Sequence, residues 1–183
     1  VALLNTLSIN NQTMKKLFFV ITLFLSLCIN AQDNLTYQVP PNEILELAEA
    51  PLTPAMQMDD KGENFVFMYR SNFKSIDELS ETEMRLGGLR INPKTNINSR
   101  QRYYNNIKVR VGRLNNEVTP KGLPKNGRYS NFSWSPNQKM MAFTNTTING
   151  VELWLLEIES KSAKIITSDN LNANTGKPFY WFK

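Results

Sequence analysis

Val151-Glu152-Leu153-Trp154-Leu155-Leu156-Glu157-Ile158 is the stretch on which the fold turns. Read as a strand, it sets Val151, Leu153 and Leu155 on one face and Trp154, Leu156 and Ile158 on the other. A sheet with one wet side alternates apolar and polar residues. A strand that is apolar on both sides must be covered on both. Parallel α/β sheets achieve this with crossover helices, but the segments flanking this strand are hairpin-sized and leave no room for them. Stacked antiparallel sheets are the solution that remains.

Working outward, three more strands surround it: Asn131 to Ser135, Met140 to Asn145, and Ala163 to Thr167. Ser135-Pro136-Asn137-Gln138, Thr146 to Gly150 and Ser160-Lys161-Ser162 supply the turns. Phe132-Ser133-Trp134 returns as Phe179-Tyr180-Trp181, 47 residues later. Four strands recurring at that length match the blade of a β-propeller. An earlier copy begins at Ala55, with Asp59-Asp60-Lys61-Gly62 as its turn and Phe65 to Tyr69 as its second strand.

Phe67 precedes Phe143 by 76 residues, so the first unit carries an insertion, placed at 71–102. Asn106 to Val111 and Glu117 to Leu123 then supply its last two strands. Ile107, Val109 and Val111 alternate with Lys108 and Arg110, which predicts one exposed face. Ser75 to Leu79 and Ser80 to Met84 read as capped helical turns. Pro40 to Pro51 reads as a short helix bracketed by prolines. The predicted fold is all-β: an incomplete β-propeller of about two four-stranded antiparallel blades plus the first strand of a third, preceded by a short helix and a signal peptide. The first blade occupies 51–128, the second 129–175, and the third opens at 176–183. Propellers close with ~4 to 8 blades, so the expectation is the N-terminal portion of something longer.

Met14-Lys15-Lys16 followed by Leu17 to Cys28 is a positive n-region and an apolar run of secretory length, with cleavage expected after Ala31. The signal peptide is thus 14–31 and the leader with its helix 32–50, while 1–13 reads as a mis-called upstream extension. The expected location is periplasmic or extracellular, with no stable membrane anchor once the signal is removed. The 183 residues are 41% hydrophobic, contain no histidine and hold one cysteine. A self-contained Ser-His-Asp or Cys-His site is therefore excluded, as is a zinc site built on imidazole or paired thiolates. No cofactor site is expected.

The net charge of +5 hides a segregation. Residues 32–84 carry eleven acids and three bases, whereas 85–128 carry eleven bases and the single acid Glu117. No nucleic-acid motif accompanies the basic stretch, so no nucleic-acid partner is expected. Within it, Arg100-Gln101-Arg102-Tyr103-Tyr104 mixes guanidinium and aromatic groups in a loop. Arg100, Arg102, Tyr103 and Tyr104 are accordingly the candidate contacts for a substrate carboxylate.

Several motifs together resemble the start of secreted prolyl-oligopeptidase-type serine peptidases, in the glutamyl-endopeptidase-like branch. They are Tyr37-Gln38-Val39-Pro40-Pro41, Glu43 to Leu47, Ala50-Pro51, Arg85 to Pro93, Tyr103 to Ile107, Phe132 to Pro136 and Met141 to Asn145. The resemblance implies a propeller that gates and positions peptides for a C-terminal α/β-hydrolase domain absent from this sequence, so the chain by itself is expected to be inactive. The alternatives are a non-catalytic periplasmic propeller that binds or scaffolds, and a module for anionic surface polymers.

Overall fold

The computed structural model describes residues 11–27, 38–168 and 171–182. They form two bodies divided between Ala48 and Glu49. The first holds α1 (Asn11–Leu27) and α2 (Asn42–Glu49) as far as Ala48. The Pro41 carbonyl caps α2, accepting from Ile44 and Leu45 at 3.0 Å each. Among the described residues no helix is long and apolar enough to cross a membrane. Cys28 and the expected cleavage position at Ala31 lie outside the described residues.

The second body is mostly β, with three antiparallel sheets. The first orders β1 (Ala55–Met58), β2 (Asn64–Tyr69) and β6 (Asn106–Val111) side by side. The second is a meander of β7 (Tyr129–Trp134), β8 (Met140–Thr146), β9 (Val151–Glu157) and β10 (Ser162–Thr167). Between β2 and β6 the chain forms α3 (Ile76–Ser80) and a small sheet of β3 (Met84–Leu86), β4 (Leu89–Asn92) and β5 (Ile97–Asn98).

The two larger sheets repeat one plan. Met58 pairs with Phe65, and Trp134 with Met141, both members being offset by 76 residues. Their turns share hydrogen bonds as well. Asp59 N donates to Asn64 O and Gly62 N to Asp59 O, at 3.0 Å each; Ser135 N donates to Met140 O at 2.8 Å and Gln138 N to Ser135 O at 2.9 Å. Gly62 and Gln138 sit at the same turn position with φ of 65° and 58°. Burial alone would raise the Asp59 pKa, but bonds from the Glu63 and Asn64 amides and the Asn64 side chain outweigh it and lower it. The third strands are offset by 46 residues, since Phe67 faces Lys108 and Phe143 faces Trp154. The first unit is therefore longer between its second and third strands.

Two expectations fail for local reasons. Glu117 to Leu123 is not a strand: Val118 bridges Val109 (2.8 and 2.9 Å), and the chain then leaves at Pro120, which has no N–H to continue the ladder. Lys121 instead pairs with the start of β10, donating to Lys161 O at 2.9 Å and accepting from Ala163 N at 2.8 Å. The first sheet thus has three strands rather than four. Ser80 to Met84 is not a helical turn; Ser80 Oγ closes α3 on Asp77 O (3.0 Å) and Met84 opens β3. The β3–β4 hairpin turns on Gly87 and Gly88 (φ 54° and 87°), the paired positive values of a tight two-residue turn.

The core lies between the two larger sheets. Val66 and Met68 of β2 and Ile107 and Val109 of β6 pack with Tyr129, Met141, Phe143 and Leu156, all buried. Phe143 stacks on Phe132 (5.6 Å) and Trp154 (6.4 Å) and takes the edge of Tyr129 (5.4 Å). On the far side of β9, Val151 is buried and Leu153 and Leu155 are half-buried, so neither face is exposed from Val151 to Leu156, and Glu157 at the strand's end reaches solvent. The face bearing Lys108 and Arg110 is the outer one, with Met56 and Met58 exposed on it, but both cations are half-buried. Arg110 lies over Phe65 and Phe67 (4.4 and 5.2 Å), and Lys108 over Tyr69 (4.9 Å), because a guanidinium or ammonium is attracted to the π-face while its stem covers apolar surface. Tyr69 donates to Glu117 at 2.5 Å, and this bond pushes its pKa up to about 12.

Truncating Phe143 to Ala should cost ~3–5 kcal/mol, since it removes the ring at the centre of this stack. Leu114→Ala, at a fully exposed position, should stay within about 0.5 kcal/mol of the parent. Urea unfolding of both variants checks the contrast.

Candidate functional site

The connection from β2 to β6 forms one side of a cleft of about 1310 Å³. Arg70, Lys74 and α3 line it from this side, Arg102 and Tyr103 come from the return toward β6, and Asn126-Gly127-Arg128 lead into β7. Asn105 N donates to Tyr69 O at 2.9 Å, so the connection leaves and re-enters the first sheet at adjacent points. Ser75 caps α3 by accepting from Glu78 N at 3.2 Å. Gly127 is required by its neighbour, because a Cβ there would lie 2.1 Å from the Tyr129 ring.

Arg128 is the best-organised group in the cleft. Its guanidinium grips Glu81 with both terminal nitrogens, at 2.6 and 3.3 Å, and lies 4.4 Å over the Tyr103 ring. Asn92 Nδ2 donates to the same carboxylate at 2.7 Å. Burial works against the Arg128 charge, yet Glu81 outweighs it and the pKa is raised. Burial pushes the Tyr103 phenol up, with Arg128 opposing. Among the described residues, Arg70, Lys74 and Arg102 have no carboxylate within ion-pair distance.

The small sheet is fixed independently. Glu83 accepts from Arg85 Nε (3.0 Å), Arg90 Nη1 (2.8 Å) and Ser99 Oγ (2.6 Å). Ile97 is buried with Val151 and Ala173, and Ala173 N donates to Asn96 O at 2.8 Å.

The four sequence candidates separate. Arg102 and Tyr103 line the cleft. Arg100 is exposed outside it, its amide donating to Asn98 Oδ1 at 2.9 Å. Tyr104 exchanges backbone bonds with Tyr129 (2.9 and 2.8 Å) and sets its ring edge-on to Phe132, in the core rather than the cleft. Glu81 and Arg128 were missed. Glu81 lies in the Ser80 to Met84 stretch whose pattern reads as a capped helical turn, and Arg128 is the last base of a long basic run; no short-range spacing joins them.

Among the described residues no group of three His, Cys, Asp or Glu is placed to hold a metal. With no histidine in the sequence, the cleft has anion-binding chemistry but no imidazole base for nucleophilic catalysis.

The fold and cleft thus define a β-sheet protein with a groove lined by Arg70, Lys74, Arg102 and Arg128 together with Asp77, Glu78 and Glu81. No family model matches the chain, and no solved structure matches it. It is similar to the probable chloroplastic glutamyl endopeptidase of Oryza sativa subsp. japonica, 26% identical over 138 residues, which is 70% of this chain and 15% of that protein. The probable chloroplastic glutamyl endopeptidase of Arabidopsis thaliana is 26% identical over 137 residues, 70% of this chain and 14% of that protein. The chain thus spans about 15% of the length of the rice relative. This distant similarity is that of a peptidase-related protein.

The Glu83 carboxyl is held at about 2, first by the Ser99 hydrogen bond and then by Arg85, with Arg90 adding its charge. A folded pKa below the ordinary 4.5 gives stability that is present above that value and is lost as pH falls from 4.5 toward 2. Amide exchange across 84–99 should accordingly be slower in the parent than in Glu83→Gln at pH 6, with the difference gone near pH 2.

Proposed function

We propose that this chain is the N-terminal propeller segment of a secreted serine peptidase of the prolyl-oligopeptidase type. It gates and positions peptides for a hydrolase domain that lies outside this sequence. One observation carries the propeller reading. Phe67 and Phe143 occupy matching positions in the two sheets. Phe143 packs toward the first sheet, while Phe67 sits on the opposite side from the Val66 and Met68 face that meets it. Corresponding faces do not meet each other; each sheet presents its opposite face to the next. Such a head-to-tail contact extends by adding further copies until a ring closes. The Trp181 indole, in the second appearance of the aromatic motif, donates to Ser133 O at 3.3 Å, in the first strand of the second sheet.

The similarity to glutamyl endopeptidases supports a peptide as the ligand. In this reading the cleft is a peptide groove, with Arg102 and Tyr103 as contacts for an acidic side chain. Export follows from Lys15-Lys16 and the apolar run behind them.

The test is to express the complete product of the gene and treat it with a fluorophosphonate probe. The expected outcome is one labelled serine downstream of residue 183, together with hydrolysis of peptides after glutamate. A product that contains further repeats yet takes no label would instead be a non-catalytic binding propeller.

A further inference from the structure

Arg128 presents a planar fork to the cleft, and the chain's own Glu81 fills it. Both side chains line the cleft, at 21% and 31% exposure, so the pair is within reach of anything that enters. Two bonds at 2.6 and 3.3 Å, with the Tyr103 ring stacked on the guanidinium, form the arrangement expected for an incoming carboxylate. Arg70, Lys74 and Arg102 line the cleft with Arg128, against Asp77 and Glu78, so with Glu81 displaced the cations still outnumber the acids and attract a carboxylate. Glu81 immediately follows α3 in the β2–β6 connection, whereas Arg128 precedes β7 of the second sheet. The ion pair therefore ties the inserted wall of the cleft to that sheet.

We propose that Glu81 is a built-in competitor: it occupies Arg128 as a pseudo-ligand and latches the inserted segment, and an acidic peptide opens the cleft by taking its place. This rests on reading the cleft as a peptide groove. The exchange conserves charge at Arg128, since one carboxylate leaves as another arrives. It also releases Glu81 to solvent, which lowers the cost of breaking a half-buried pair. Glu83 does not take part, because its own bonds hold the small sheet whether or not the latch is closed.

The experiment is fluorescence anisotropy of a labelled penta-glutamate peptide with the 183-residue chain, its Glu81→Gln and Arg128→Lys variants, and the double variant. Far-UV circular dichroism confirms folding in each. Glu81→Gln should bind roughly three- to tenfold more tightly than the parent, because the internal charge no longer competes. Arg128→Lys keeps a cation but loses the fork, and should bind less tightly than the parent. The double variant should follow Arg128→Lys. Hydrogen exchange in residues 70–82 should quicken in Glu81→Gln and, on adding peptide, in the parent.

If Glu81→Gln binds no more tightly than the parent, if Arg128→Lys is without effect, or if no form binds the peptide, the proposal is overturned. Should Arg128→Lys not fold, Glu81→Asp replaces it: a shortened carboxylate reaches Arg128 less well, so binding must fall between the parent and Glu81→Gln. The peptidase reading is judged separately, by serine labelling of the complete gene product. A missing label beside an intact Glu81 effect removes that reading and leaves the latch standing.

Discussion

The burial of Phe143 between two sheets is the interaction on which the second body depends. Its ring touches Tyr129, Phe132 and Trp154 on its own sheet, and the same buried cluster includes Val66, Met68, Ile107 and Val109 of the other. Backbone pairing alone would not join the sheets, since strand hydrogen bonds lie within a sheet and only side chains reach across the ~10 Å between two. With the sheets fixed, the ends of β2 and β6 become rigid posts. The long connection between them is held at Tyr69 and Asn105, and the cleft follows from where that connection folds back.

The insertion is attached by chemistry of several kinds. Ile97 is buried with Val151 and Ala173, an apolar anchor that does not respond to charge. Glu83 holds Arg85, Arg90 and Ser99 within the inserted sheet. Glu81 and Arg128 cross from the insertion to the second sheet at the cleft itself. This last tie is electrostatic and lies in the cleft, which makes it a point where chemistry in the cleft can act on the position of the wall. A buried apolar contact offers no such handle, because a polar ligand cannot replace it.

The second sheet was legible in the sequence almost strand by strand, because alternation and turn chemistry are local signals. Ser135 to Gln138 and Asp59 to Gly62 announce turns from a few residues each, and the 76-residue offset aligns the two units in register. Misreadings arose where two local signals competed. Ser80 to Met84 has a capping pattern, but the Gly87-Gly88 turn that follows draws Met84 into a hairpin. Lys108 and Arg110 alternate as solvent-facing residues would, but an aromatic face beneath them keeps both half-buried. In the site, Arg102 and Tyr103 were visible as a dipeptide, whereas Glu81 and Arg128 stand 47 residues apart and meet only after both sheets have formed. The reading of Tyr104 with them overlooked that consecutive residues in extended chain point to opposite sides.

The way the sheets meet also limits what the molecule can be. Had the two units packed through matching faces, Phe67 would point toward Phe143 and the pair would be satisfied by its own near two-fold relation. Instead the side of the first sheet that bears Phe67 faces away, with Met56 and Met58 on it 50% and 57% exposed. Arg110 and Lys108 cover its aromatic rings where the second sheet has Leu156 and Trp154 at the corresponding positions. Replacing two apolar residues by cations that lie flat on aromatic rings gives a face tolerable in water and still able to receive an apolar neighbour, because the cations' stems remain the outer surface. The two units share a backbone plan but differ where the contact matters: one is dry against its neighbour, and the other is prepared for solvent.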